Sequence, residues 1–201
     1  MVRIKICGIT RLEDALFSLE SGADAVGFVF AEGSKRRITP EHCSEIMKKL
    51  PIFSYTLGVF KNNTKEFILD TLLQCGFSAI QFHGNEDEEF CHSFHRPVLK
   101  AFSVENEKDI EYVNSFLLTR NVLIDGKEPG SGQIFDHTLL QKVNKGKNVI
   151  LAGGLNPDNV FEIISKYAVF GVDVSTGVEQ APGLKEKNKI IKFIEQVRRV
   201  K

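Results

Sequence analysis

The chain has 201 residues, enough for one large domain or two small ones. Its 26 Lys and Arg residues balance its 26 Asp and Glu residues, so it lacks the basic surplus typical of proteins that bind nucleic acid or an anionic membrane. No apolar run is long enough to cross a membrane, and the first residues do not resemble a secretion signal. Hydrophobic residues make up 42% of the chain, which indicates a globular protein with a buried core.

The predicted strands and helices alternate along the whole chain. In chain order they are a strand at Val2–Ile6 and a helix at Leu12–Ser21; Ala25–Phe30 and Pro40–Leu50; Thr56–Phe60 and Lys65–Cys75; Ala79–Phe82 and Glu86–Phe94; Val98–Phe102 and Glu107–Leu118; Val122–Ile124 and Thr138–Asn144; Val149–Leu151 and Pro157–Lys166; and Phe170–Val174 and Lys187–Val200. Helix starts are indicated by Thr39-Pro40-Glu41 and Asn156-Pro157-Asp158, and helix ends by Gly22 and Gly76.

Eight such units of about 25 residues predict parallel strands joined by right-handed crossovers, and the count matches a (β/α)₈ TIM barrel in the α/β class. A doubly wound open sheet is the alternative, but its G-x-G-x-x-G fingerprint is absent after the first strand. No linker or low-complexity segment interrupts the pattern. We therefore expect residues 1–201 to form a single domain.

Glycines and hydroxyls follow the seventh and eighth predicted strands, where barrels commonly bind phosphate. They are Gly153 and Gly154, and then Ser175, Thr176 and Gly177. Glycines let backbone N–H groups approach a phosphate closely. Each loop alone could be a tight turn, but together they favour a phosphate site.

The second loop carries the basic triplet Lys35-Arg36-Arg37. We expect it to lie across the barrel from loops seven and eight, where one guanidinium could hold a second anion with two hydrogen bonds. Solvated surface charge explains the triplet equally well.

The predicted strands are almost wholly apolar, and we expect few titratable side chains at their upper ends: Cys7, His83 and Asp125. Asp125 follows three apolar residues, so partial desolvation would favour its protonated form and suit a general acid. A carboxylate that fixes its own loop is the alternative. A Cys7 thiolate supported by nearby positive charge could abstract a proton, although buried cysteines are usually inert. His83 could contact a ligand or a backbone carbonyl.

The other cysteines indicate structure rather than chemistry. Cys43, Cys75 and Cys91 fall in or beside predicted helices, and the four cysteines form no C-x-x-C pair. Free thiols in a reducing cytoplasm fit this spacing better than disulfides. Cys91-His92 with His95 lacks an opposing ligand, so we expect no metal site there.

An ordered set of motifs resembles the phosphoribosylanthranilate isomerases, the TrpF family, over essentially the whole chain. The motifs are Lys5-Ile-Cys-Gly-Ile-Thr10, Gly27-Phe-Val-Phe30, Ser34-Lys-Arg36, Gly58-Val-Phe60, Gln81-Phe-His-Gly84, Asp125, Gly130-Ser-Gly132, Phe135-Asp136, Gly153-Gly-Leu-Asn-Pro157 and Asp173-Val-Ser-Thr-Gly-Val-Glu179. Loop six is shorter than in many members, and His137 follows Asp136 where the family often has Trp. Those departures concern the loop that covers the substrate.

The resemblance implies an Amadori rearrangement of N-(5-phosphoribosyl)anthranilate to the 1-deoxyribulose phosphate, in tryptophan biosynthesis. It implies that Asp125 is the general acid and Cys7 the general base. It also implies that Arg36 binds the substrate carboxylate and that loops seven and eight bind the phosphate. It implies no metal or organic cofactor, a phosphosugar as the partner, and no nucleic acid or membrane.

Two other functions remain open from the residues. One is another phosphosugar barrel, such as the histidine-pathway isomerase or ribulose-phosphate epimerase, but few carboxylates are predicted at the strand ends. The other is a non-catalytic phosphate binder, which would need neither Cys7 nor Asp125. A monomer and a homodimer are both compatible with the sequence.

Overall fold

The computed structural model describes residues 1–126 and 136–200. Within them, eight parallel strands close into one barrel, each paired with its neighbours in chain order and the last paired with the first. The strands are β1 (Arg3–Cys7), β2 (Ala25–Val29), β3 (Thr56–Phe60), β4 (Ala79–Phe82), β5 (Val98–Ser103), β6 (Asn121–Asp125), β7 (Asn148–Leu151) and β8 (Gly171–Val174). The predicted TIM barrel is confirmed.

The helices surround the barrel. They are α1 (Leu12–Glu20), α2 (Pro40–Met47), α3 (Lys65–Cys75), α4 (Glu88–His92), α5 (Glu107–Ser115), α6 (Val160–Lys166) and α7 (Lys187–Arg198). In the described residues no helix is both long and apolar enough to span a membrane. The predicted loop-six motifs at Gly130 to Gly132 and at Phe135 lie outside the described residues.

Local sequence signals set several helix ends as predicted. The Thr39 hydroxyl accepts a hydrogen bond from the His42 N–H at 3.2 Å, and the helix then begins at Pro40. Gly76 ends α3 in a left-handed conformation, with φ of 68°, and its N–H bonds the carbonyl of Leu72. A residue with a side chain would be strained there, so glycine gives α3 a sharp end.

Several predicted helices differ in the structure, and those expected at Pro40–Leu50, Glu86–Phe94 and Glu107–Leu118 are three or four residues shorter. The helix expected at Thr138–Asn144 is a 3₁₀ helix at His137–Lys142. The helix expected from Pro157 begins only at Val160, because the Asn156 side chain accepts the N–H groups of Asp158 and Asn159 and holds a turn before the helix.

A short hairpin after β8 was not predicted from the sequence. A 3₁₀ turn at Thr176–Val178 leads into two antiparallel strands, β9 (Glu179–Ala181) and β10 (Leu184–Lys185). Thr10 in the loop after β1 donates a hydrogen bond to the Gly183 carbonyl, 2.5 Å away. The hairpin therefore folds back over the end of β1.

Apolar side chains fill two separate layers. Small and branched residues fill the barrel interior, including Leu57, Ala79, Leu99, Ala101, Leu123 and Ala152. Larger side chains pack between the strands and the helices, among them Phe28, Phe30, Phe60, Phe77 and Phe82. Because both faces of each strand are buried, the strands are continuous apolar runs in the sequence. At the carboxyl ends of the strands the interior holds a small cluster of Cys7, Val29, Ala31 and Val59 together with polar side chains such as Asp125.

Candidate active site

Asp125 ends β6 at the carboxyl end of the barrel and is buried. Burial, and then the negative charge of Asp173, raise the pKa of its carboxyl group to about 7, while the Gly126 N–H opposes the shift. Near neutral pH a large fraction of Asp125 therefore carries a proton. This agrees with the desolvation predicted from the sequence and suits a group that donates a proton.

His83 lies beside Asp125, one residue beyond the end of β4. Its Nε2 is 3.8 Å from Asp125 Oδ2, and its Nδ1 is 3.3 Å from the side-chain amide nitrogen of Gln81. Burial, and then Lys5, Lys100 and Lys61, lower the pKa of the imidazole to about 4. The ring is therefore neutral at pH 7, and the Gln81 contact assigns the proton to Nε2. That N–H points towards the space next to Asp125.

Cys7 ends β1 and is also buried. Burial raises the pKa of its thiol, while Lys5 and Lys185 lower it and Asp173 raises it further. The positive charge predicted near this sulfur is present. Burial outweighs it, so the resting side chain is a thiol rather than a thiolate.

Arg36 is already paired with a carboxylate of the protein. Its Nε donates to Glu179 Oε1 at 2.8 Å and its Nη2 to Glu179 Oε2 at 2.7 Å. Nη2 also lies 3.0 Å from the Thr176 hydroxyl. A side chain at Gly8 would clash with Arg36, since its Cβ would lie 2.6 Å from Arg36 Cδ. Glycine at position 8 thus lets the guanidinium reach loop eight.

The expected placement of the basic triplet was wrong. Arg36 does not lie across the barrel from loop eight but touches it, because β1 pairs with both β2 and β8 and only one strand separates the two loops. A ligand that spans from Arg36 to loops seven and eight is therefore held on one side of the barrel mouth.

The glycines of loops seven and eight allow close backbone contacts. Gly153 and Gly154 have φ of 82° and 67°, which glycine adopts without strain. A Cβ at Gly153 would lie 2.5 Å from Asp125 Oδ1, and a Cβ at Gly177 would overlap the Leu155 carbonyl. The two loops thus pack on each other and on the proposed acid.

The hydroxyls of loop eight take part in a charged network. Ser175 Oγ lies 3.4 Å from Lys185 Nζ and from Glu179 Oε1. Lys185 Nζ bonds Glu179 Oε1 at 2.8 Å and the Cys7 carbonyl at 2.6 Å. Lys185 of the hairpin therefore connects the loop after β8 to the end of β1.

The expectation that the strands are almost wholly apolar was wrong in part. Lys5 and Asp173 face the barrel interior and form a buried ion pair of 3.0 Å. Lys185 and Glu179 form a second buried pair. Lys5 lies two residues before Cys7, and alternate residues of a strand share a face, so this spacing could have indicated an interior lysine. Nothing local indicates Lys185.

The remaining cysteines and histidines have structural surroundings. Cys43, Cys75 and Cys91 are buried free thiols. His92 Nε2 is 3.1 Å from the Thr119 hydroxyl. Among residues 1–126 and 136–200 no group of three or more His, Cys, Asp or Glu side chains is arranged to hold a metal ion.

Comparison with known proteins finds a matching family and several similar enzymes. Residues 4–196 match the family described as N-(5'phosphoribosyl)anthranilate (PRA) isomerase. The chain is 47% identical to the N-(5'-phosphoribosyl)anthranilate isomerase of Thermotoga petrophila, with 98% of this chain and 99% of that protein covered.

Two solved structures of phosphoribosyl anthranilate isomerases are similar over 98% of this chain and 99% of theirs, each with 43% identity and a TM-score of 0.88. One is a complex with reduced 1-(o-carboxyphenylamino)-1-deoxyribulose 5-phosphate. The other is described as monomers generated from the dimeric enzyme of Thermotoga maritima.

Proposed function

This chain belongs to the N-(5'-phosphoribosyl)anthranilate isomerase family and catalyses that isomerisation in tryptophan biosynthesis, and we propose that Cys7 and Asp125 are the base and the acid of the reaction. One observation carries the assignment. Both groups end barrel strands and are buried, and the same buried charge, Asp173, acts on the pKa of each. An acid and a base that end strands of the same barrel at its carboxyl end can serve the first two carbons of one sugar.

Asp125 protonates the ring oxygen of the aminoaldose, and the ring opens to a Schiff base. Its pKa of about 7 supports this role, because a general acid works best when its pKa is near the working pH. The neutral His83 directs its Nε2–H to the same space and can hydrogen-bond the released hydroxyl.

Cys7 then removes the proton at C2′ as a thiolate, and the resulting enolamine relaxes to the ketone. The thiol has to ionise first, and burial opposes this. The positive charge of the Schiff base favours the thiolate and makes the C2′ proton more acidic. The atoms balance, because the proton lost from C2′ and the one given to the ring oxygen leave an isomer of the substrate.

The two anionic ends of the substrate have separate partners. Among the described residues the hydrogen bonds of Arg36 use Nε and Nη2, so Nη1 remains to bind the anthranilate carboxylate. Gly153, Gly154 and Gly177 have no side chains, so their backbone N–H groups can approach a phosphate closely. Ser175 and Thr176 complete that site as hydroxyl groups already oriented by charged neighbours.

The decisive experiment follows the fluorescence of phosphoribosylanthranilate generated in the assay as it disappears. We expect Cys7→Ser and Asp125→Asn to lose ~10²–10⁴-fold in kcat, with a smaller effect on KM. In the wild type we expect kcat to fall above pH 7 as Asp125 loses its proton. Near-normal turnover by either variant would contradict its assignment. Binding without turnover by the wild type would instead favour the non-catalytic binder.

We infer that the protein is a homodimer joined at the amino-terminal end of the barrel. A similar enzyme is described as dimeric. In this chain the loops at that end expose Ile52 at 90% and Phe53 at 97%, and Leu117 and Phe170 are exposed there too. A cavity of about 410 Å³ opens at the same end, lined in part by Tyr55 and Phe170. An apolar surface of this kind marks an interface.

Three broader inferences complete the proposal. Residues 1–201 form one domain, a view supported by the single closed barrel. The location is cytoplasmic, which the four free cysteines support. The reaction uses only acid and base groups of the chain and no cofactor.

A further inference from the structure

The barrel interior below Cys7 holds an ion pair to which the reaction steps above give no role. Lys5 Nζ lies 3.0 Å from Asp173 Oδ1, and both side chains are buried. Lys5 on β1 is in register with Asp173 on β8, so the two project inward from neighbouring strands. Burying two charges is costly, and a pair of similar apolar residues is often as stable. The pair therefore calls for a functional explanation.

Gly27 brings this pair next to the Cys7 sulfur. A Cβ at position 27 would lie 2.9 Å from Cys7 Sγ, 2.9 Å from Lys5 Cε and 3.0 Å from Lys5 Nζ. The sulfur and the ammonium thus both lie next to the space beside Gly27 of β2. This space is open because residue 27 has no side chain. Lys5 and Cys7 are two residues apart on β1 and share its inner face.

We propose that the Lys5 ammonium is the counter-ion of the Cys7 thiolate during the reaction, and that the sulfur and Asp173 share this ammonium. Lys5 and Asp173 are then positioning residues, since neither touches the substrate. This deepens the proposed role of Cys7 as the base and rests on it.

Among the described residues the two other cations near Cys7 are both paired with Glu179 in loop eight and the hairpin. Lys185 on β10 and Arg36 in the loop after β2 both bond Glu179, and Lys185 bonds the Cys7 carbonyl rather than the sulfur. Lys5, next to the sulfur, is the larger of the two lysine influences that lower the thiol pKa. Lys5 is thus the cation placed to stabilise a negative sulfur.

The pair has opposite effects at its two ends. The Lys5 end favours the ionised thiol, whereas the Asp173 end adds to the effect of burial in raising the pKa of the Asp125 carboxyl. Thiolate and protonated acid are the forms that the reaction needs at the same pH. Lys5 thus supports the thiolate and Asp173 supports the protonated acid, although Asp173 also raises the pKa of the thiol.

The test measures the ionisation of Cys7 directly. Iodoacetamide alkylates thiolates, and mass spectrometry of the peptide carrying Cys7 separates it from the other cysteines. In Lys5→Met we expect the pH of half-maximal alkylation to rise by about one unit or more. We expect kcat at pH 7 to fall ~10-fold or more, with KM changed less than about threefold, and activity to recover as the pH rises. Lys5→Arg should restore most of it.

Asp173→Asn gives the opposite prediction at the same sulfur. Removing the carboxylate leaves the ammonium to the thiolate, so the alkylation midpoint should move to lower pH. A purely structural role of the pair would not move the midpoint in opposite directions in the two variants.

Lys100→Met is the matched control. Lys100 is another buried lysine, paired with Glu86 at 3.3 Å on the outer side of the barrel wall, and it does not act on the Cys7 pKa. We expect it to lower stability and leave the midpoint in place. An unmoved midpoint in folded Lys5→Met, or an equal shift in Lys100→Met, would overturn the proposal. Normal turnover by Cys7→Ser would show that Cys7 is not the base, whatever the alkylation midpoints of the other variants are.

Discussion

Arg36 is oriented before the substrate arrives, because Glu179 binds two of its nitrogens at 2.8 and 2.7 Å. Such preorganisation reduces the entropy lost when the guanidinium binds a carboxylate. We expect Arg36→Ala to raise KM by ~10–100-fold, the cost of a charge-assisted hydrogen bond, with kcat changed much less. Steady-state kinetics in the fluorescence assay measure both constants.

Arg37 provides a control on the same loop. It is half exposed and its partner Glu32 is 4.0 Å away, so Arg37→Ala removes an equal charge without touching the site. We expect a KM close to that of the wild type. If Arg36→Ala also leaves KM unchanged, Arg36 does not hold the substrate carboxylate.

The chemistry of single residues was predictable where it depended on neighbours in the chain. Asp125 follows three apolar residues of a buried strand, which indicated its desolvation, and the structure places its pKa at about 7. The pairing of Arg36 with Glu179 was not predictable. It joins residues 143 positions apart, and their contact depends on how the barrel closes.

The packing between loops seven and eight makes one glycine critical. A Cβ at Gly177 would overlap the Leu155 carbonyl, so Gly177→Ala has to push the two loops apart. We expect it to lower the free energy of unfolding by ~1–3 kcal/mol, as overpacking does. We also expect a higher KM and weaker inhibition by inorganic phosphate. Thermal unfolding and inhibition kinetics measure these effects.

Gly146→Ala is the matching control, since nothing lies within 4 Å of a Cβ at that position. Its stability and its inhibition by phosphate should stay close to those of the wild type. If Gly177→Ala is destabilised but phosphate still inhibits it tightly, the packing between the two loops is not needed for the phosphate site.

The elements of the barrel were more predictable than the hairpin that closes its site. Thr56–Phe60, Lys65–Cys75 and Ala79–Phe82 have the predicted bounds, because local caps and buried apolar runs determine them. The strands of the hairpin have only three and two residues. Its hold on the barrel is long-range, through Lys185 and the end of β1, and local patterns carry no information on such contacts.

At the scale of the whole molecule the two ends of the barrel differ in surface chemistry. The carboxyl end holds the buried charged groups Asp125, Glu179 and Lys185. The amino-terminal end exposes apolar side chains, seven of the eleven large ones exposed in the described residues: Met1, Ile52, Phe53, Tyr55, Leu117, Leu118 and Phe170. An interface at that end would cover apolar surface without obstructing substrate entry at the other.

A charge on this surface should therefore dissociate the proposed dimer without stopping catalysis. We expect Phe53→Asp to sediment as a monomer at concentrations where the wild type is dimeric, because an interface cannot bury an unpaired carboxylate. Its kcat should stay within about threefold of the wild type, since Cys7 and Asp125 lie at the opposite end. Leu73→Asp is the control: Leu73 is 86% exposed on α3, in the outer helical layer rather than in the loops that carry Ile52, Phe53 and Phe170, and its variant should remain a dimer. A wild type that sediments as a monomer at every concentration would rule out the interface. Dissociation by Leu73→Asp but not by Phe53→Asp would place the interface on the helical side of the barrel.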